Sequence, residues 1–258
     1  MHSSAILLGL LAGVQALIAS PFANSVSSRS LGKRLASSTF PSAAGTSSVS
    51  KPIEVSGVFD GKMYRYDRGT SYGGQSEGGD ADAVFLVSSG GTVRNVIIGS
   101  KQSEGIHCLG PCTIQNVWWE DVCEDALTIK QTSGTSYVIG GGARGAEDKV
   151  LQHNGGGTLS ISNFYVQDFA KLYRSCGNCK TQYKRTVIID GVLADTGKSL
   201  VGINSNYGDT ARITNSCLKG VKDVCNEYTG NNNGAEPIKK SSGPSNACIY
   251  TTTDVSKC

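Results

Sequence analysis

The amino-acid sequence predicts an all-β solenoid, a parallel β-helix with capping segments at its ends. Three observations point there: a recurring pattern of about two dozen residues, strand-like apolar runs rather than helical periodicity, and turn-formers at fixed places in the pattern. Between Thr92 and Leu218 a β-branched apolar residue, a spacer, a turn-former, two spacers and a second apolar residue recur. The turn-formers are Asn95, Asn116, Gly140, Asn163, Asp190 and Asn215, separated by 21, 24, 23, 27 and 25 residues. Two positions before them stand Val93, Ile114, Val138, Ile161, Ile188 and Ile213, and three positions after them Ile98, Trp119, Ala143, Val166, Leu193 and Leu218. No leucine-rich consensus is present, and runs such as Val96-Ile97-Ile98 and Val187-Ile188-Ile189 read as strands, not amphipathic helices. An ordinary β-sandwich is the competing architecture, but it imposes no fixed offset. Asn, Asp and Gly suit the left-handed corners of a coil, and stacked asparagines bond along the axis.

The first coil and the last each expose strand edges and need covering. The segment Ile53 to Gly79 is expected to cover one end, and the Asn/Gly/Lys-rich tail from Asn226 to Cys258, pinned by disulfides, the other. Trp118 and Trp119 alternate faces of one strand, so one belongs to the core and the other is available to stack on a ligand.

Ahead of the repeats the composition changes. Residues Ala5 to Ala19 form an uncharged, largely apolar run at the N-terminus, shorter than the roughly 20 residues a membrane span requires. Residues 1–19 read as a secretory signal and residues 20–50, rich in Ser and Ala, as a low-complexity propeptide or linker with a dibasic pair at Lys33-Arg34. Residues 51–258 form the β-helix domain. A net charge of +3 is far from the dense basic face of a nucleic-acid binder, and no later stretch is long and apolar enough to span a membrane. Nine cysteines suit an oxidising, extracellular setting. They pair in an order that spacing does not decide, and an odd count leaves one over. Cys176 and Cys179 have redox-motif spacing, and Cys108 with Cys112 has the spacing of a zinc half-site; structural bridges are the simpler reading of both.

Stacked coils lie about 4.8 Å apart, so residues at equal offset become neighbours. Nine positions after the turn-former lie Glu104, Asp125 and Lys149; eight after it lie Lys171 and Lys198. With Glu124 beside Asp125 and Arg174 three residues past Lys171, one ridge runs from carboxylates to cations. Crowded carboxylates call for a cation, and an all-oxygen donor set favours calcium. A structural calcium site and plain acid–lysine salt bridges are the simpler alternatives. His107, with no carboxylate at a telling spacing, and His153 read as structural.

Longer motifs add a resemblance. Gly105-Ile106-His107-Cys108, the stretch Trp119 to Ala126, Asp148-Lys149-Val150, the stretch Lys171 to Cys179 and the stretch Gly202 to Asp209 resemble the secreted fungal pectate lyases of polysaccharide lyase family three, in order and spacing, from about Ile53 to Cys258. The resemblance implies a right-handed parallel β-helix that cleaves polygalacturonate (pectate) by calcium-dependent β-elimination, as a secreted monomer. It maps the metal ligands onto Glu104, Glu124 and Asp125, where the family commonly has Asp at the first position. It maps the catalytic and substrate-clamping cations onto Lys149, Lys171 and Arg174, and a further functional glutamate onto Glu77. On this reading Lys149 is the base, its pKa depressed by Lys171, Arg174 and the metal; Arg174 is the alternative base and otherwise a carboxylate clamp. A polygalacturonan hydrolase on the same scaffold and a non-catalytic pectate-binding wall protein are the rival functions.

Overall fold

The structure, a computed structural model, describes Met1, residues 36–69 and residues 77–258. The expected signal at 1–19 and the dibasic pair lie outside the described residues. Among those residues the chain is nearly all strand, with two short 3-10 turns, Asp80–Asp82 and Ser205–Tyr207, and no helix long and apolar enough to cross a membrane.

Three parallel ladders run along the axis, and each can be followed by one inward-facing rung per coil. The first runs Phe59, Val93, Ile114, Val138, Ile161, Ile189 and Ile213. The second runs Tyr66, Ile98, Trp119, Ala143, Val166, Ala194 and Leu218. The third runs Phe85, Ile106, Leu127, Leu151, Tyr173, Val201 and Cys225. Nearly all of these side chains belong to one continuous apolar core, with Phe59 and Tyr66 packed at its margin. That core is the stabilising payoff of stacking coils that could not bury their apolar face alone.

The corner between the first two ladders is made by left-handed residues: Asn95, Asn116, Asn163 and Asn215 have φ between 51° and 53°, and Gly140 has φ 64°. At the fifth corner the sequence-derived register is one residue off. The left-handed residue is Gly191 (φ 70°), not Asp190, and the inward pair is therefore Ile189 and Ala194, both fully buried, whereas Ile188 is 37% exposed. Glycine takes this conformation at no steric cost, so it displaces the adjacent Asp. Side-chain amides bond along the axis at both ends of the stack: Asn95 donates to Asp60 (3.1 Å), Asn116 to Asn95 (2.9 Å) and Asn215 to Asp190 (2.7 Å).

The later coils pass from the second ladder to the third without a break, as the strands Gly142–His153, Tyr165–Ser175, Leu193–Asn204 and Ser216–Thr229, with one left-handed kink each at Gly145, Asp168, Thr196 and Gly220. The two coils before them open at the same place into short loops, between Thr92–Ile98 and Glu104–Cys108 and between Thr113–Trp119 and Asp125–Ile129. The acidic residues stand on those loops and on the strands they feed.

Two expectations about the ends change. Ile53–Val55 and Val58–Asp67 pair in parallel with Ala83–Val87 and Thr92–Ile98, so this segment is a winding of the solenoid and not a separate cover. The segment expected as linker is structured from residue 36: Thr46–Ser48 pairs with Arg65, Tyr66 and Asp67, and Phe40 packs edge-on against Trp118 (5.0 Å) under the Arg144 guanidinium (4.4 Å). Trp118, 5% exposed beneath that cover, stacks on protein, while Trp119 fills the core. The tail behaves as expected: Ile238–Ser242 pairs antiparallel with the last long strand, and Cys217–Cys258 and Cys225–Cys248 fasten it. Cys108–Cys112 and Cys176–Cys179 are disulfides, so neither pair offers thiolates to a metal, and Cys123 stands outside all four bridges.

Asn116 is left-handed, bonds Asn95 and accepts the Trp118 indole N–H (2.8 Å). Replacement by Ala and by Gly loses the same hydrogen bonds, but only Ala also suffers left-handed strain. Asn116→Ala is therefore expected to be less stable than Asn116→Gly by about 1–2 kcal/mol in denaturant unfolding.

Candidate active site

On the third ladder Ala83, Glu104, Asp125, Lys149, Lys171, Ser199 and Asp223 occupy one register column. The sequence arithmetic thus brings Glu104, Asp125, Lys149 and Lys171 together. Lys198 is not part of the column: the one-residue slip at Gly191 puts Ser199 beside Lys171 and leaves Lys198 exposed on the flank.

At the acidic end, oxygens of Glu77, Glu104 and Glu124 lie within 4.8 Å of one another. Glu104 and Glu124 are each 2% exposed and Asp125 is 3% exposed. Glu104 is held on both oxygens, by the Gly78 N–H (2.9 Å) and by His107 Nε2 (3.1 Å). His107, expected to lack a carboxylate at a telling spacing, has a second carboxylate partner besides Glu104: its Nδ1 lies 2.8 Å from Asp80, which also pairs with Lys130. The Asp80 contact comes from a turn outside the repeat, which spacing could not reveal. Partial burial, then the charges of Glu124 and Glu104 (partly offset by Lys149), push the Glu77 carboxyl above its ordinary range. Burial raises Asp125 well above its ordinary value, Glu124 and Glu104 adding to that against the opposing pull of Lys149. Glu124 Oε2 and Asp125 Oδ1 are buried and accept no hydrogen bond. Buried acceptors without donors, among carboxylates that repel one another, fit a hard divalent cation.

Lys149 stands in the middle, with its Nζ 2.9 Å from Glu124, 2.8 Å from Asp148 and 3.7 Å from Asp125. These contacts oppose the depressed pKa expected of Lys149. Burial does oppose its charge, but Asp125, Asp148 and Glu124 outweigh burial and hold the ammonium well above its ordinary value. Asp148, which the ridge arithmetic missed although it adjoins Lys149, bridges to Lys171 at 2.5 Å. Burial raises it, and the bonds to the two lysines more than reverse that.

Arg174 has the opposite surroundings. It is 7% exposed, its Nη1 donates to Asn204 Oδ1 (3.1 Å), and its guanidinium carbon lies 4.0 Å from the centre of the Tyr228 ring. Burial lowers its pKa, only partly countered by Tyr228, Asp209 and Tyr173. Two glycines make room for it: a Cβ at Gly177 would stand 2.6 Å from Nη2, and one at Gly202 3.0 Å from Cδ. Glu77, Asp148, Lys149, Lys171, Arg174 and Tyr228 line one groove, walled by Gly177, Asn178 and Pro237. Tyr228 and Pro237 come from the tail, beyond the reach of the repeat.

A parallel solenoid with such a groove, acidic at one end and cationic at the other, presents cations to an anionic polymer beside a cluster of carboxylates. The comparisons with known proteins agree. A pectate lyase family profile matches residues 37–235, and the chain belongs to the pectate lyase family. It is 59% identical over 232 residues to the probable pectate lyase E of Neosartorya fischeri, covering 89% of this chain and 90% of that protein. It is 60% identical over 214 residues to pectate lyase H of Emericella nidulans, covering 82% of each. Among solved structures, the catalytic domain of pectate lyase PelI from Erwinia chrysanthemi superposes with a TM-score of 0.70 at 29% identity, over 84% of this chain and 98% of that one. The same enzyme in complex with tetragalacturonic acid matches with a TM-score of 0.68 at 31% identity, over 84% of this chain and 71% of that one.

Beneath the groove His153 is fully buried between the Tyr173 hydroxyl (2.9 Å) and the Gly156 carbonyl (3.1 Å), and burial pushes its pKa down to about 4. The folded state therefore binds fewer protons here than the unfolded chain, whose histidine titrates near 6.5. This contribution to stability is whole above about pH 6.5 and is lost as pH falls toward 4. An NMR titration of the imidazole protons is expected to show a midpoint near 4; a midpoint near 6.5 contradicts the assignment.

Proposed function

We propose that this chain cleaves polygalacturonate by calcium-dependent β-elimination, with Arg174 as the candidate base to be tested against Lys149. The observation that carries the assignment is the contrast between the two cations: Lys149 is enclosed by Glu124, Asp125 and Asp148, whereas Arg174 is buried against an amide and an aromatic ring. The PelI structure holding tetragalacturonic acid supports the substrate class. The uncharged N-terminal run at 5–19 and the four disulfides support secretion.

Glu104, Glu124 and Asp125, joined by Glu77, are the proposed calcium donors. Calcium bound there supplies positive charge that neutralises a uronate carboxylate and acidifies the proton α to it. Lys149 ties Glu124, Asp125 and Asp148 into one rigid block, which keeps the acidic oxygens from splaying apart. Lys171, at the groove surface, offers its ammonium to a second uronate carboxylate. Arg174 in its neutral form accepts the C5 proton, and the C4–O bond breaks as the C4–C5 double bond forms. The departing glycosyl oxygen leaves with the bonding pair and is protonated from solvent, to which Arg174 then returns its proton, so that no water is consumed. A guanidinium gives up its proton reluctantly, so burial without a carboxylate partner is what makes the role attainable, at alkaline pH.

Incubation with polygalacturonate and calcium is expected to yield an unsaturated, ultraviolet-absorbing product, abolished by chelator; reducing ends without that absorbance would mean hydrolysis. Glu124→Gln is expected to weaken calcium binding by at least about tenfold in calorimetry, with the fold retained by circular dichroism. Arg174→Ala should lose about 10²- to 10⁴-fold in kcat. Arg174→Lys should keep part of the activity and move the acid limb of the kcat–pH profile to lower pH, because an amine deprotonates more readily than a guanidinium. An unmoved limb in Arg174→Lys assigns the base elsewhere.

A further inference from the structure

We infer that a basic trough on the last coil, outside the catalytic groove, is a docking site for a polyuronate chain. The inference rests on polygalacturonate as the substrate and goes further by naming a second surface of the protein that holds it.

The trough, of about 540 Å³, lies between the strand Ser216–Thr229 and the C-terminal tail. Its floor is Val221, Val224, Tyr250 and Val255, half-buried side chains packed on the margin of the core. Lys219, Lys222 and Lys257 stand exposed around that floor. The tail wall is fixed in place: Ser256 and Lys257 pair with Cys217 and Leu218, and the Cys217–Cys258 bridge fastens the same end. The tail's own acid, Asp254, is engaged in its turn, where it accepts the Thr251 N–H (2.8 Å) and hydroxyl (2.7 Å).

Among the described residues no Asp or Glu side chain lines the trough. Lys219 is paired with Asp195 at 3.1 Å, but Lys222 and Lys257 form no ion pair among those residues. An apolar floor with one aromatic ring, rimmed by ammonium groups, matches a uronate sugar: its C–H face rests on the floor and its carboxylate meets a lysine. The acid-free rim selects an anion and repels a basic partner.

Register connects the trough to the groove. Lys171, Ser199 and Asp223 are successive rungs, so Lys198 and Lys222 stand one and two coils beyond Lys171, at about 4.8 Å per coil. A 1,4-linked hexose advances by a similar length, so Lys222 lies about two sugars past Lys171. Between them a hollow over Phe169 and Gly197, with Lys198 at its side, shares Gly220 with the trough. The acids of that hollow, Glu147 and Asp168, belong to the coils of Lys149 and Lys171. On this flank a uronate chain therefore meets cations from Lys198 onward, and a chain long enough to leave the groove is held at both places.

The test compares Lys222→Glu/Lys257→Glu with a control of equal charge change, Lys51→Glu/Lys184→Glu, whose lysines are exposed elsewhere. Each is assayed with calcium on trigalacturonate and on long polygalacturonate, and each is passed over immobilised polygalacturonate in chelator, which stops cleavage. The trough pair is expected to raise KM on the long polymer at least about fivefold with kcat unchanged, to leave trigalacturonate kinetics as they are, and to elute at lower salt. The control pair is expected to match wild type. Unchanged KM and elution in the trough pair, or an equal loss in the control pair, overturns the proposal. A wild-type dimer in sedimentation that only the trough pair dissociates, with elution unchanged, assigns the trough to a second copy and overturns it too. Should the trough pair fail to fold by circular dichroism, Lys222→Gln/Lys257→Gln decides by the same readouts. Failure of the underlying reading looks different: wild type then neither cleaves nor retains polygalacturonate.

Discussion

Everything in this molecule depends on the parallel backbone ladder that stacks one coil on the next. Because the hydrogen bonds fix a rung spacing of about 4.8 Å, a side chain has no freedom to avoid the residue one coil above it. In the core this constraint stacks apolar residues on one another. On the third ladder it forces Glu104, Asp125, Lys149 and Lys171 into a single file. Carboxylates so placed repel, and the protein meets that repulsion in two ways. Lys149 is inserted among three acids, and the remaining oxygens converge where a cation can sit. The acidic pole is therefore a direct product of the scaffold, and its positive partner is spent in holding it together.

A second buried cation stands outside the file. Arg174 lies three residues beyond Lys171, where the strand turns its side chain away from the carboxylates and toward the tail. The two poles of the groove differ in what surrounds a positive charge: ionised oxygens around Lys149, and an amide, a phenol ring and two glycines around Arg174. The first environment stabilises charge and the second withholds stabilisation, within one groove.

Much of this was legible in the sequence, because a repeat converts offsets into neighbours. Asn95, Asn116, Gly140, Asn163 and Asn215 mark real corners, and the column from Glu104 to Lys171 follows from counting. Counting failed at Asp190, where the adjacent Gly191 is the better left-handed residue, and the same slip misplaced Lys198. It could not place what lies outside the repeat: Glu77 and the Asp80 contact to His107 on an excursion between coils, and Tyr228 and Pro237 on the tail. Nor could it weigh the surroundings of Lys149, since the cations along the chain were visible but the enclosing contact of Asp148 was not.

The bridge between Cys225 and Cys248 encloses the stretch that carries Tyr228, Glu236 and Pro237. Cys176–Cys179 shapes the facing loop, whose Gly177 carbonyl accepts the Asn231 N–H at 2.7 Å. The acidic pole takes no residue from either bridged loop, but the outer wall over the guanidinium takes residues from both. Closure of this wall is thereby tied to the redox state of its surroundings: reducing conditions leave it unfastened, and oxidising ones complete it.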